Sequence, residues 1–365
     1  MPRLITHSSV RLYAPNKQGE LWTVIQLLLK TKYLLNDTAA YVVVLFMGGA
    51  DINECIHRCY EEIGLQNNDA SKVIFDLAEN SILVPEDDCS HIQCERISTH
   101  WQRFGWYESL DYYLLTHDYP FVDYDTPDAF VQDKRRMENY RSNETEPERY
   151  KQKRNTSPRV EGKPISECLS SLHISVPDAL TAHRPEQGDL SVSDLMTLCT
   201  CAFGILRTRP IRNRPDIPPL IRKTSPSGGS RHPTEAYVLV LGVSGLQPAV
   251  YEYSAIDNVL SHIRDLPQQK EMEENLEGLY RASFKIKAVV ILTSVFERNM
   301  FRYREPRTFR TIFLDAGHVA ATVEIASRSL GINAYVQHGI NDAWVENLLG
   351  LDSLREGVIL GIALG

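Results

Sequence analysis

A chain of 365 residues is longer than one hydrophobic core usually organises, so two domains with a connecting region are expected. Its 43 % hydrophobic and 24 % charged residues are ordinary for soluble globular protein, and a formal net charge of −8 excludes the basic footprint that nucleic-acid binding normally leaves. Residues 1–10 lack the apolar core of a signal peptide, Tyr41 to Met47 is too short an apolar run to cross a bilayer, and the 7 scattered cysteines form no CxxC pair, so a cytoplasmic protein with reduced thiols and no membrane association is expected.

Residues 1–90 alternate helix-like and strand-like patterns. Glu20 to Leu29 places Leu21, Ile25, Leu28 and Leu29 on one helical face. Ala70 to Asn80 does the same with Val73, Ile74 and Leu77 ahead of a short apolar strand, Ile82 to Val84. Small helices closed by a strand suggest a winged-helix-like module, and the lack of a basic stripe on its last helix favours peptide binding or dimer contact over nucleic acid.

Residues 91–175 read as an aromatic segment followed by a linker. Trp101, Phe104, Trp106, Tyr107, Tyr112, Tyr113, Tyr119, Phe121 and Tyr124 form either a core or interface strip or a substrate-contacting surface. Gln132 to Lys163 is strongly charged and nearly free of aliphatics, which predicts a linker or mobile loop. Cys89, His91, Cys94 and His100 lie close together, but their spacing matches no zinc module, and no metal site is expected.

Residues 176–365 have the pattern of one compact α+β domain. Ser191 and Asp194 form a capping signature ahead of the apolar face Leu195, Leu198 and Ala202, and Cys199 and Cys201 read as small core residues. A loop from Thr208 to Ser230 follows, then strands at Ala236 to Val243 and Val250 to Tyr253, a polar helix near Lys270 to Tyr280, and a strand at Ile286 to Val295. Asp315 is expected to cap a helix with inward positions Val319, Val323, Ala326 and Leu330 and a stop at Gly331. A strand (Ile332 to Val336), a helix (Asn341 to Leu349, stopped by Gly350) and a final strand (Val358 to Leu364) close the chain.

The most informative string is Thr224-Ser225-Pro226-Ser227-Gly228-Gly229-Ser230-Arg231-His232-Pro233, just ahead of a strand. Prolines fix its course, paired glycines admit close main-chain approach, and N–H groups beside hydroxyls and Arg231 suit polar ring edges and phosphate. Read from the residues alone, an ordinary surface loop stays open as the alternative. A second stretch, Phe301-Arg302-Tyr303-Arg304-Glu305-Pro306-Arg307, holds a tyrosine among cations. Arginine stays protonated and cannot act as a base, whereas Tyr303 can transfer a proton. Alternatively Arg302, Arg304, Arg307 and Arg310 form a solvated or phosphate-binding face.

The string from Pro226 to Tyr237 resembles the P-S-x-G-x-x-x-P-x-E-x-Y signature of SagB-type dehydrogenases of the nitroreductase superfamily, and Leu314-Asp315-Ala316-Gly317-His318 resembles their L-D-x-G-H stretch. Leu330-Gly331-Ile332 and Val358 to Gly365 match the closing elements, so the resemblance covers roughly Pro177 to Gly365. It implies a homodimer with FMN at the subunit interface, lined by Pro226, Ser227, Gly228, Gly229, Arg231 and His232, with the Gly339 N–H near N5. The family commonly has R-x-[ST]-x-R at the FMN phosphate. Here Leu180-Thr181-Ala182-His183-Arg184 stands in that place, with only Thr181 kept, so Thr181, His183, Arg184 and also Arg310 are the phosphate candidates. Azoline-oxidising relatives carry a Lys-Tyr pair where this chain has Arg302-Tyr303. The implied activity is dehydrogenation of thiazoline or oxazoline rings to azoles in a ribosomally made precursor peptide, with Tyr303 taking the proton. The alternatives are NAD(P)H-driven reduction of dehydroamino acids, and a non-catalytic partner that recruits peptide to a cyclodehydratase.

Overall fold

The computed structural model describes residues 3–120, 126–180, 189–210 and 219–365. It divides into two compact units, Met1–Asp123 and Tyr124–Gly365, a boundary that differs from the expected breaks near 90 and 175.

The first unit runs β1 (Arg3–Thr6), β2 (Val10–Tyr13), β3 (Trp22–Gln26), β4 (Thr31–Leu35), α1 (Asp37–Leu45), β5 (Ala50–Asp51), α2 (Ile52–Ile63), α3 (Asn67–Glu79), β6 (Leu83–Pro85), α4 (Cys89–Gln102) and α5 (Tyr107–Thr116). Two three-stranded antiparallel sheets, β5-β1-β6 and β2-β3-β4, share a core with the first three helices through Val24, Val42, Val43, Phe46, Ile74 and Leu83. The expected helix over Glu20 to Leu29 is a correction: residues 22–26 form a strand instead. The β-branched run Thr23-Val24-Ile25 favours extended chain, and burial there follows a period of two, with Val24 and Gln26 inside while Leu21 and Leu29 are exposed. The helix and strand expected at 70–84 are present as α3 and β6.

The aromatic strip is not a buried core. Phe104, Trp106, Tyr107 and Tyr113 are exposed, and Trp101 stacks at 5.4 Å on Tyr113 beside a small cluster of Leu27, Cys94, Leu110 and Leu114. Phe121 and Tyr124 lie outside the described residues. His91 is engaged in a fold contact, its Nδ1 accepting from the Ser8 N–H at 3.1 Å.

The second unit runs α6 (Ala129–Asn143), β7 (Arg159–Glu161), α7 (Ile165–Ser171), α8 (Val176–Leu180), α9 (Val192–Phe203), β8 (Ile205–Arg209), β9 (Leu220–Lys223), β10 (Thr234–Val240), β11 (Ala249–Ser254), β12 (Val259–Arg264), α10 (Gln269–Asn275), β13 (Ala288–Val295), α11 (Phe296–Met300), α12 (Phe309–Ser329), β14 (Ala334–Gln337), α13 (Asp342–Leu349) and β15 (Glu356–Leu364). Its seven-stranded antiparallel sheet has the order β14-β15-β13-β10-β11-β12-β7. Because side chains alternate along a strand, Ala236, Val238 and Val240 pack toward α9 and α12, while Tyr237 and Leu239 pack toward α10 and α13. The expected capping box at Ser191 and Asp194 forms, and Gly350 closes α13 in the left-handed region at φ 68°. Asp315 is a second correction. It lies well inside α12, which starts at Phe309, and so caps no helix. Among the described residues no helix is long and apolar enough to cross a membrane.

The charged stretch expected as a linker is a third correction, since it belongs to the second unit and carries α6 and β7. It orders by pairing charges rather than by burying aliphatics. Lys151 donates to Glu356 at 2.5 Å and to the Tyr237 hydroxyl, and Arg154 donates to Glu252; both carboxylates are buried. Arg298 on α11 pairs with Glu235 on β10 at 2.5 Å, both nearly inaccessible, and donates to the Glu148 carbonyl at 2.8 Å. Removing one member of a buried pair strands the other in a poorly solvated site. Arg298→Met should therefore cost about 3–5 kcal/mol of stability in chemical denaturation, with part recovered in the Arg298→Met/Glu235→Leu double variant.

Candidate active site

The loop between β9 and β10 is held in a tight, locally unfavourable shape. Gly229 has φ 59°, and the non-glycine residues Ser230 and His232 also sit in the left-handed region at φ 53° and 48°. Such a path persists only if its surroundings fix it, and the anchor is Asp315. The Ser227 hydroxyl donates to Asp315 Oδ2 at 2.6 Å, and the Gly228 N–H donates to Oδ1 at 3.0 Å. Ser227 Oγ in turn accepts from the His232 N–H at 2.8 Å, which folds the loop back on itself. Upstream, the Ser225 hydroxyl donates to the Ala202 carbonyl at 2.7 Å and lies 3.0 Å from Thr322 Oγ1 on α12. Burial pushes the Asp315 carboxyl up from its ordinary range, while the Ser227 and Gly228 donors pull it back down.

These bonds change the expected role of the loop's main chain. The Ser230 and Arg231 N–H groups donate to the carbonyls of Ser227 and Gly228, so together with those of Gly228 and His232 they are spent inside the protein. Among the described residues the Gly229 N–H has no such partner, and beside it the loop presents side chains. The Arg231 guanidinium is buried, donates to the Arg298 carbonyl at 3.1 Å and pairs with Glu146 at 3.3 Å; burial and Arg149 push it down to about 10. The His232 Nε2–H donates to the Ile221 carbonyl at 2.8 Å, and burial with Lys223 close by lowers the ring to about 4, so it is neutral at pH 7.

The paired glycines admit neighbouring side chains. A Cβ on Gly229 would collide with the Tyr303 hydroxyl, and one on Gly228 with the Thr311 methyl. Tyr303 therefore lies against the loop with its phenol at Gly229. The Asn299 carbonyl accepts from the Arg302 and Tyr303 N–H groups at 3.1 and 2.9 Å, which sets the turn that presents this pair. Arg302 lies 5.0 Å over the Tyr303 ring and is held by Asp133 at 2.9 Å, while Arg304 makes two bonds to Glu144 at 3.0 and 2.9 Å. Both guanidiniums are thus committed to carboxylates of the charged stretch. Arg310 sits in the first turn of α12.

Gly339 is placed elsewhere, just beyond β14, where its carbonyl accepts from the Gly278 N–H at 2.9 Å beside Asn275, Tyr335 and Gln337. No described hydrogen bond joins it to the 226–232 loop. Thr181, His183 and Arg184 lie outside the described residues. Sequence reasoning missed Lys223, at the end of β9. Its Nζ is buried with no hydrogen-bond partner among the described residues, and burial pushes it down to about 8. The alternation that buries Ile221 and Lys223 but exposes Arg222 was the available signal.

Residues 189–365 match the nitroreductase family. A protein of Methanocaldococcus jannaschii assigned as a nitroreductase is 30 % identical over 160 residues, 44 % of this chain and 74 % of that protein. The trifolitoxin-processing protein TfxB of Rhizobium leguminosarum bv. trifolii is 29 % identical over 258 residues, 69 % of this chain and 68 % of that protein. Among solved structures, an assigned nitroreductase from Anabaena variabilis gives a TM-score of 0.45 at 22 % identity and covers 64 % of this chain, which spans 45 % of the length of that one. The microcin synthetase McbBCD complex of E. coli with truncated pro-MccB17 bound gives 0.41 at 20 % identity, covering 53 % of this chain and 73 % of that one. This chain belongs to the nitroreductase family, and its second unit is by that membership an oxidoreductase domain.

The geometry assigns the loop's shape to a single carboxylate. Asp315→Ala removes two hydrogen bonds to it, each worth about 1.5–3 kcal/mol when the acceptor is charged. Amide hydrogen exchange at residues 225–232 should accelerate by one to two orders of magnitude or more while exchange within β10 and β13 stays slow. Unchanged protection at the loop would show that Asp315 does not hold it.

Proposed function

We propose that the second unit binds FMN between two copies of the chain and carries out a two-electron oxidation on a ribosomally made precursor peptide, converting thiazoline or oxazoline rings to azoles. The observation that carries this reading is the Tyr303 hydroxyl set against Gly229, which joins the residue read as the proton-transfer group to the glycine pair of the SagB-like signature. Kinship with a protein named for trifolitoxin processing supports a peptide as the substrate class.

The residues present fit FMN by the chemistry of their donors. Lys223 Nζ is buried beside the loop with no hydrogen-bond acceptor among the described residues, and Arg231 is a buried cation with Arg149 as a like-charged neighbour. Both suit the acceptor-rich ring edge or the phosphate of this cofactor, and Thr181, His183, Arg184, Arg310 and Gly339 remain its further candidates. FMN supplies the two-electron acceptor when bound. The chain's own part is to orient the peptide and to move one proton. Aromatisation of an azoline removes one hydrogen with its electron pair and a second as a proton, and Tyr303 Oη is the group placed to hold that proton. Arg302, clamped by Asp133 over the Tyr303 ring, fixes the ring and keeps a positive charge beside it. A cyclodehydratase or another maturation enzyme would deliver the azoline peptide.

The second copy is supported by α12. Phe313, Leu314 and Ile325 are exposed there at 50, 62 and 42 %, and Gly317 leaves open space on the same helix, a surface suited to another subunit. The same site can serve the reverse chemistry, with NAD(P)H as reductant, a dehydroamino acid as acceptor and Tyr303 as acid. Arg302 stays protonated and cannot serve as a base where azoline-oxidising relatives carry lysine, which keeps this alternative open.

Gly228→Val drives a side chain into Thr311 and should release flavin, read from absorbance, while the protein still sediments as a dimer. Stoichiometric flavin in that variant, or a flavin-loaded monomer of the wild type, would contradict the cofactor and assembly assignments respectively. Tyr303→Phe should keep FMN and lower turnover of an azoline peptide by about 10²- to 10⁴-fold, the usual worth of a positioned acid or base. Arg302→Lys should be milder, since a cation is retained. Equal turnover by wild type and Tyr303→Phe rules out the proton role.

A further inference from the structure

α6, Ala129–Asn143, precedes the residues that match the nitroreductase family and buries little. Of its 15 residues only Ala129, a single methyl, and Met137 are inside, while Phe130 and Val131 at its start are exposed. A helix that removes so little apolar surface from water gains little from the hydrophobic effect. Polar ties hold it instead, and those of Asp133, Tyr140 and Glu144 converge on one turn. Asp133 accepts from Arg302 at 2.9 Å. Glu144, just past the helix end, takes two bonds from Arg304 at 3.0 and 2.9 Å, and that guanidinium lies 4.0 Å over the Tyr140 ring. The Tyr140 ring also meets Phe301 edge-on at 6.4 Å. Phe301, Arg302 and Arg304 are the residues on either side of Tyr303.

These ties are unequal along the helix. The Arg304–Glu144 pair is exposed at 39 and 49 %, so solvent screens it. Asp133 is less exposed, but its Oδ1 is buried with no hydrogen-bond partner among the described residues, so the pair with Arg302 offsets its desolvation only in part. Glu146, two residues past Glu144, is held more firmly. It pairs with Arg141, Arg149 and Arg231 at 3.1, 2.8 and 3.3 Å, which joins the last turn of α6 to two nearly inaccessible cations. The C-terminal end of the helix is thereby pinned, and the rest can move about it once Asp133 lets go. That pinned end borders the site, since Glu144, Thr145 and Pro147 line the same cavity as Tyr303.

We propose that α6 is a lid over the turn that presents Tyr303, hinged at residues 144–146 and latched by Asp133 on Arg302. Closed, it holds the Arg302 guanidinium over the Tyr303 ring, 5.0 Å from its centre. Swung open, it frees that guanidinium and uncovers Tyr303. The inference rests on the reading of Tyr303 as the proton-handling residue and adds to it the element that controls access. Asp133 and Glu144 are positioning residues, acting through the two arginines.

The test uses the full-length chain and two readouts, amide hydrogen exchange by mass spectrometry and acetylation of the Tyr303 hydroxyl by N-acetylimidazole, located by peptide mapping. Glu144→Gln should speed exchange in α6 by about two- to fivefold, the worth of an exposed ion pair. Asp133→Ala should speed it by about tenfold or more, the worth of a hydrogen bond to a charged group, and Asp133→Asn, which keeps an acceptor without the charge, should fall between wild type and Asp133→Ala. Raising salt from about 0.05 M to about 1 M weakens the exposed pair and should speed α6 by about twofold or more. Exchange in α12 and β10 should stay as it is throughout, and Tyr303 acetylation should rise in step with exchange in α6. Exchange in α6 that ignores both substitutions and salt overturns the lid. Equal acceleration in α12 and β10 overturns it too, because the whole unit would then be loosening. Faster exchange in α6 with unchanged acetylation of Tyr303 shows a mobile helix that covers nothing, which also overturns it. Neither readout needs flavin or peptide. A colourless, inactive chain that passes refutes the peptide-oxidation reading alone, and an active flavoprotein with a fixed α6 refutes the lid alone.

Discussion

The site depends on one carboxylate that ties two distant parts of the chain together. Asp315 projects from α12 and accepts from Ser227 and Gly228, and the loop that it holds contains three residues in the left-handed region. That anchor adds to the bonds that His232 makes to the Ile221 carbonyl and accepts from Arg298, which together hold Ser230 and His232 in their strained backbone, since their own N–H bonds stay within the loop. The anchor is only as firm as α12, whose Val319, Ala320, Val323 and Ala326 are embedded in the core shared with α9 and the sheet. Hydrophobic packing of a long helix is thereby converted into the position of a polar loop, which in turn meets Tyr303 at Gly229.

A second layer of order comes from charge. The stretch from α6 to β7 is poor in aliphatics, and its ordering follows from carboxylates buried beneath it. Glu252 and Glu356 on the sheet would each carry a desolvation cost if left alone, and Lys151 and Arg154 offset it. Asp133 and Glu144 of the same stretch reach Arg302 and Arg304, so it also clamps the turn that presents Tyr303. The Glu and Tyr of the signature string, Glu235 and Tyr237, belong to this system. They face the layer opposite Ala236 and are engaged by Arg298 and Lys151. Part of a motif read as cofactor binding is thus structural.

What could be read from the sequence follows from which forces act locally. The second unit's α9, α12, α13 and central strands were legible because their apolar periodicity is strong and their caps are local, as at Ser191, Gly331 and Gly350. Residues 22–26 were misread because Leu21, Ile25, Leu28 and Leu29 fit a helical face, and only pairing with β2 and β4 selects the strand. Asp315 was placed correctly in a motif but given a local role, helix capping, when its partners lie far away in sequence at Ser227 and Gly228. The pairings of Arg302 with Asp133 and of Arg304 with Glu144 were invisible for the same reason. Each depends on a contact between elements that the sequence does not order by distance.

The central claim, that this fold uses bound flavin to remove a hydride and a proton, two hydrogens in all, from a peptide ring beside Tyr303, is tested most directly under anaerobic conditions. The FMN-loaded chain is mixed with an azoline-bearing peptide, and the flavin spectrum and the peptide mass are followed together. The account predicts loss of the oxidised flavin band in step with loss of two hydrogens from the peptide, one ring per flavin. A protein that takes up no FMN, or a flavin band that stays unchanged while the peptide mass does not move, would contradict it.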